Sequence, residues 1–169
     1  MCSSDLVNAR FLLSQPAVTT LSVGAAIPEE LDWPLADSGC GAIADQTAPL
    51  SSTEQEVLEK LKNHATQTLQ VDQCHQCNAC LPCPESINIP EVLRLRNLAV
   101  AYDMTDFGRY RYRMFENAGH WFPGRKADKC TECGDCLPRC PSNLDIPALL
   151  FDTHDRLQDT PRPRLWESI

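Results

Sequence analysis

The apolar positions of this chain fall mostly at helical spacing, in short segments separated by proline, glycine and cysteine. Residues 4–14 predict a short helix with Leu6, Ala9, Phe11 and Leu12 on one face, capped by Ser4 and ended by Pro16. Val18 to Val23 is rich in β-branched residues, is closed by Gly24 and predicts a strand. Pro28 with Glu29 and Glu30 marks a helix start that Pro34 cuts short. Residues 36–50 read as a loop or linker. Ser51-x-x-Glu54 is a capping box opening a helix to about residue 70, with Val57, Leu58, Leu61, Ala65 and Leu69 along one stripe. Further helices are predicted over 90–103, over 105–117 with Phe107, Tyr110 and Phe115 to bury, and from Asp145 to about Gln158. Gly119 to Lys126 is a turn, and Pro161 to Arg164 is a loose tail.

One segment occurs twice. Cys83-Pro-Glu-Ser-Ile-Asn-Ile-Pro-Glu-Val-Leu93 aligns with Cys140-Pro-Ser-Asn-Leu-Asp-Ile-Pro-Ala-Leu-Leu150. Asn88 and Asp145 stand at matching places as N-caps, and Pro90 and Pro147 suit a first turn, where no amide donor is needed. Each copy is a cysteine loop feeding a capped helix.

Composition narrows the class. The 169 residues carry a formal charge of -8. That balance argues against a nucleic-acid surface, which needs Lys and Arg to displace counterions, and against a polybasic membrane anchor. No segment has the length of a membrane span or the form of a signal peptide. The expected location is cytoplasmic and reducing, where clustered cysteines are metal ligands rather than disulfides.

Eight of the ten cysteines form two rows, Cys74, Cys77, Cys80, Cys83 followed by Pro84, and Cys130, Cys133, Cys136, Cys140 followed by Pro141. The second row has the C-x2-C-x2-C-x3-C-P spacing of bacterial ferredoxins; the first lacks one residue before its last cysteine. Three thiolates at that spacing wrap one [4Fe-4S] cluster, and the fourth serves the cluster of the other row. Two clusters with crossed ligands are therefore expected: Cys74, Cys77, Cys80 and Cys140 on one, and Cys130, Cys133, Cys136 and Cys83 on the other. Zinc competes, since four-cysteine zinc sites also use C-x2-C pairs, but those draw on separated pairs. A C-x-x-C dithiol accounts for two cysteines, not eight. Cys2 and Cys40 belong to no motif. His75 reads as a solvent-facing loop residue, His64 and His154 as solvated, and His120 beside Trp121 as a packed turn. Arg109-Tyr-Arg-Tyr-Arg113 reads first as a solvated helix face, with nucleotide stacking and docking of an acidic redox partner as its other readings.

The chain resembles, over about residues 4–158, the C-terminal part of aldo-keto reductases that carry a ferredoxin-type 4Fe-4S domain. Phe11-Leu-Leu-Ser-Gln-Pro-Ala-Val-Thr-Thr20 with Gly24 is similar to that family's last barrel helix and strand. Pro49 to Glu59 is similar to its closing helix, and Cys74 to Pro90 and Lys126 to Pro141 to its two cluster rows, including the short spacing before Cys83. The resemblance implies a barrel remnant over 1–35, a linker and connecting helix over 36–70, a 4Fe-4S ferredoxin-type domain over 71–160 and a tail over 161–169. A complete barrel needs roughly 250 residues. The family's catalytic Asp, Tyr, Lys and His lie on earlier strands, so no catalytic residue is assigned. Ala26 stands where a phosphate-binding Arg is expected and Pro34 where an adenine-contacting Asn is expected, so a nicotinamide cofactor is not supported. The fold expected is mainly α, a helical di-cluster domain after a remnant with one strand. The function expected is electron transfer through two [4Fe-4S] clusters to a redox protein partner, with no nucleic acid and no membrane. The alternatives are the electron-transfer part of a split oxidoreductase, completed by a separate barrel fragment, and a non-catalytic metal-binding module.

Overall fold

The computed structural model describes residues 4–22, 24, 27–31 and 50–158. It is mainly α-helical, as the apolar spacing predicts. Among the described residues the α-helices are, in chain order, α1 (Ser4–Leu13), α2 (Ser52–Leu69), α3 (Ile89–Tyr102), α4 (Thr105–Tyr112) and α5 (Ile146–Leu157). None among the described residues is long and apolar enough to cross a membrane. The chain divides into two compact units, Met1–Leu61 and Lys62–Ile169.

In the first unit, Ser51 and Glu54 form the predicted capping box. Glu54 Oε2 accepts from the Ser51 amide and hydroxyl, both at 2.7 Å, and the Glu54 amide donates to Ser51 Oγ at 3.3 Å. Arg10 of α1 donates to the same carboxylate at 2.6 Å. The predicted strand is not there. Val18–Ser22 is irregular, and Val23 lies outside the described residues. A strand needs a neighbour to take its amides and carbonyls, and the described residues contain no strand. Pro28–Leu31 is a single 3-10 turn. The loop expected over 36–50 lies outside the described residues except for Leu50, as does the tail after residue 158.

The second unit is built around α3. It packs against α4 and α5, burying Ile89, Val92, Leu93, Leu95 and Ala99. The predicted caps hold α3 and α5 at the same register. Asn88 Oδ1 accepts from the Glu91 amide at 3.4 Å, and Asp145 Oδ1 from the Ala148 amide at 3.3 Å. Of the aromatics expected to be buried in the following helix, only Phe115 is. Tyr112 takes the second core position, while Phe107 and Tyr110 are exposed. Helix α4 ends at Tyr112, and the turns after it bring Phe115 onto Phe122, with ring centroids 4.6 Å apart.

Gly124 closes the unit on the other side. Its φ is +109°, and a Cβ there would come within 2.7 Å of Asn88 Cβ. That close approach lets Arg125 N donate to Ser86 O at 3.0 Å in an isolated parallel bridge of Ile87 with Arg125.

A charged link joins three parts of this unit. Arg96 is only 7% exposed. Its Nε donates to Asp152 Oδ2 on α5 at 2.6 Å, and its Nη2 to Asp72 at 3.4 Å, in the 3-10 turn before the first cysteine row. Burial pushes the Asp152 carboxyl up, but hydrogen bonds from Arg156 and Arg96 outweigh it and hold the group below the usual carboxylate range. Removing Asp152 strands the buried Arg96 guanidinium, whereas without Arg96 the carboxylates left behind are partly exposed and Asp152 keeps Arg156. Asp152→Ala is expected to cost about 3 kcal/mol in chemical denaturation, and Arg96→Met clearly less. Equal costs would show that the charge pair does not decide the stability here.

Candidate metal centres

The two cysteine rows are one backbone motif used twice. Gln76 and Glu132, each two residues after the first cysteine of its row, have φ of 54°. Asn78 and Gly134, two further on, have φ of 62° and 81°, and Ser86 and Asn143, three after each last cysteine, have 57° and 51°. Left-handed residues alternating with ordinary ones turn successive amides to one side, making concavities that hold anions and iron–sulfur groups. Gly134 takes this geometry without strain, Asn tolerates it, and Gln76 and Glu132 adopt it at a cost. After each row the chain turns back identically: Ser86 N donates to Cys83 O at 2.9 Å and Asn143 N to Cys140 O at 3.1 Å.

Two cavities lie between these loops and the starts of α3 and α5. One is lined by Cys74, Cys77, Cys80 and Cys140, with Pro90, Leu93, Leu144 and Ile146 as its apolar wall. The other is lined by Cys83, Cys130, Cys133 and Cys136, with Ile89, Pro147 and Leu150, and Cys80 also reaches it. Each cavity thus meets three thiols of one row and the last thiol of the other. Cys140 is near enough to Cys74, Cys83 to Cys136 and Cys136 to Cys80 for their charges to act on one another. Both capped helices begin at these walls, so their positive ends face the thiols.

The thiols differ in exposure. Cys80 and Cys136 are buried in the core, and Cys77 and Cys133 are exposed. Burial, then the charge of neighbouring thiols, pushes Cys80 up to about 11. Burial likewise raises Cys74 and Cys136, with the Gln76 amide opposing it at Cys74. Such thiols stay protonated until a cation takes the place of their protons, so metal loading releases protons. Clustered thiols with an apolar wall and amide donors fit the donor set of a cubic iron–sulfur group.

Residues outside the cysteine pattern hold the loops. Asn97 Nδ2 donates to Cys74 O at 2.9 Å. Tyr112, in the core, accepts from the Ala127 amide at 2.9 Å, in the 3-10 turn that delivers Cys130. The same hydroxyl shares a hydrogen bond with His154 Nδ1, 2.8 Å away on α5. His154 is therefore not the solvated residue its helix pattern suggests. His64 is exposed yet bonded, its Nε2 lying 2.9 Å from Ala101 O. His75 is exposed, as expected. His120 and Trp121 are not a packed turn: Trp121 is 80% exposed, and its ring lies tilted at 36° to that of His120, with centroids 4.8 Å apart. Nor is Arg109 to Arg113 a uniform solvated face, because Tyr112 is core and the Arg111 guanidinium sits 4.6 Å over Phe122. Cys2 and Cys40 lie outside the described residues.

Residues 73–144 match a known family, the 4Fe-4S dicluster domain. The match supports 4Fe-4S cluster binding and an iron–sulfur electron-transfer role for this part of the chain. No curated protein and no solved structure matched. The resemblance to an aldo-keto reductase finds no support in these comparisons.

The Tyr112 hydroxyl provides a test of how the second row is held. Tyr112→Phe leaves the buried Ala127 amide without an acceptor, a loss worth about 1–3 kcal/mol. The expected result is a lower unfolding midpoint and faster iron release to a chelator than in the parent protein. Unchanged stability would mean that the Cys130 loop does not depend on this hydroxyl.

Proposed function

We propose that this protein carries electrons through two [4Fe-4S] clusters. Cys74, Cys77, Cys80 and Cys140 hold one, and Cys130, Cys133, Cys136 and Cys83 hold the other. The observation that carries this reading is the lining of the two cavities, each by three thiols of one row and the fourth of the other. The shortened first row is compatible with it, because Cys83 has only to reach the neighbouring cavity. The chemistry supplied by bound clusters would be one-electron uptake and release. The protein's own part is to bind the iron with eight thiolates, to aim loop amides at the sulfurs and to exclude water with Leu93, Leu144, Ile146 and Leu150. Cys77 and Cys133 remain at the surface, where a redox protein partner would approach.

Zinc is the rival, and the spacing weighs against it: four-cysteine zinc sites draw on separated C-x2-C pairs, whereas each row here runs four cysteines together.

Anaerobically purified protein should contain about eight iron and eight sulfide per chain, and no stoichiometric zinc. Cys83→Ser and Cys130→Ser should then perturb the same paramagnetic signal of the reduced protein, and Cys140→Ser and Cys74→Ser the other. Zinc in place of iron and sulfide would reject the cluster reading. If Cys83→Ser and Cys74→Ser affect the same signal, the clusters are there but the ligands are not crossed.

A further inference from the structure

The two rows differ by one residue. Cys80-Leu-Pro-Cys83 in the first corresponds to Cys136-Leu-Pro-Arg139-Cys140 in the second, so the extra residue is Arg139. It does not simply turn away to solvent. Its Nε donates to Asp135 O at 2.7 Å, in its own row. Its Nη1 donates to Pro82 O at 3.2 Å, in the other row and next to Cys83. The side chain lines the cavity of Cys83, Cys130, Cys133 and Cys136. Both of these acceptors are carbonyls, so neither bond neutralises the guanidinium charge. Two carboxylates line the same cavity, but Glu132 is exposed and Glu85 lies 3.6 Å from Arg125. Apart from its thiols, the other cavity has no ionisable side chain on its wall but His75.

We propose that Arg139 is a positioning and tuning residue for the cluster held by Cys83, Cys130, Cys133 and Cys136. By gripping Pro82 O and Asp135 O it fixes where Cys83 meets the second row. By keeping a permanent positive charge on the wall of that cavity it favours the reduced state and raises that cluster's potential above what the loops alone would give. Arginine suits both tasks: its planar fork serves two acceptors at once, and it does not lose its charge. The inference rests on the cluster reading above and adds to it a specific inequivalence of the two centres.

The test is a redox titration of the full-length, cluster-loaded protein, followed by paramagnetic resonance, with Arg139→Gln and Arg139→Lys beside the parent. Arg139→Gln keeps a donor and loses the charge. It should lower the potential of the cluster whose signal Cys83→Ser removes, and leave the other unchanged. At fixed ambient potential the reduced-to-oxidised ratio should fall on the order of tenfold, about 59 mV for one electron. Arg139→Lys should stay close to the parent potential yet release iron to a chelator faster, because an ammonium does not reproduce the two-acceptor fork. If Arg139→Gln holds too little iron to titrate, retention of iron by Arg139→Lys still supports the proposal. Unchanged potentials in Arg139→Gln, or an equal fall in both variants, would overturn it. If the parent protein contains no iron and sulfide, the cluster reading fails with it; if the parent holds both clusters and the potentials ignore Arg139, only the role of Arg139 fails.

Discussion

Eight thiols in one small unit cannot be packed as ordinary core. Burial raises the pKa values of Cys74, Cys80 and Cys136, and any charge on neighbouring thiols raises them further. On the proposed reading, the iron at the centre of each set takes the place of the thiol protons. Each set also draws on both rows, so neither half of the second unit can complete its site alone. The rest of that unit follows from this constraint. The helices that start at the cavity walls, α3 and α5, are also the ones that supply most of its apolar core.

Polar side chains do the joining that a larger apolar core would do elsewhere. Arg96 links the turn before Cys74 to α5. Tyr112 links α4 to the turn before Cys130 and, through His154, to α5. Arg139 links the second row to the carbonyl beside Cys83. All three hold a loop that ends in a thiol. Each bond adds modestly to stability, but a buried donor left without its acceptor costs more than the bond contributes, so each fixes the loop to one position.

Much of this was legible in the residues. The capping box at Ser51, the matched caps Asn88 and Asp145 and the repeat of the two rows are local signals, and all three appear in the structure. The pairing of the last thiol of each row with the opposite cavity also follows the spacing. Contacts between distant segments left no such trace. Nothing in the helical pattern distinguishes Tyr112 from Tyr110, yet one is core and the other exposed. His154 looked solvated because its partner lies 42 positions away. The strand expected at Val18 rests on β-branched content and a closing glycine, which report fit to a sheet and not the presence of one. Arg139 did leave a signal, the extra residue in the second row, but its bond to Pro82 becomes visible only in three dimensions.

On the proposed reading, the two thiol sets, filled with metal, hold the second unit together. The most direct test compares far-ultraviolet circular dichroism and thermal unfolding of the iron-loaded protein with the same protein stripped of iron under anaerobic, reducing conditions. Binding to the native state alone should stabilise it by linkage. The stripped protein is expected to lose much of its helical signal and to unfold without a sharp transition. A cooperative transition of the metal-free protein at the temperature of the loaded one would contradict it.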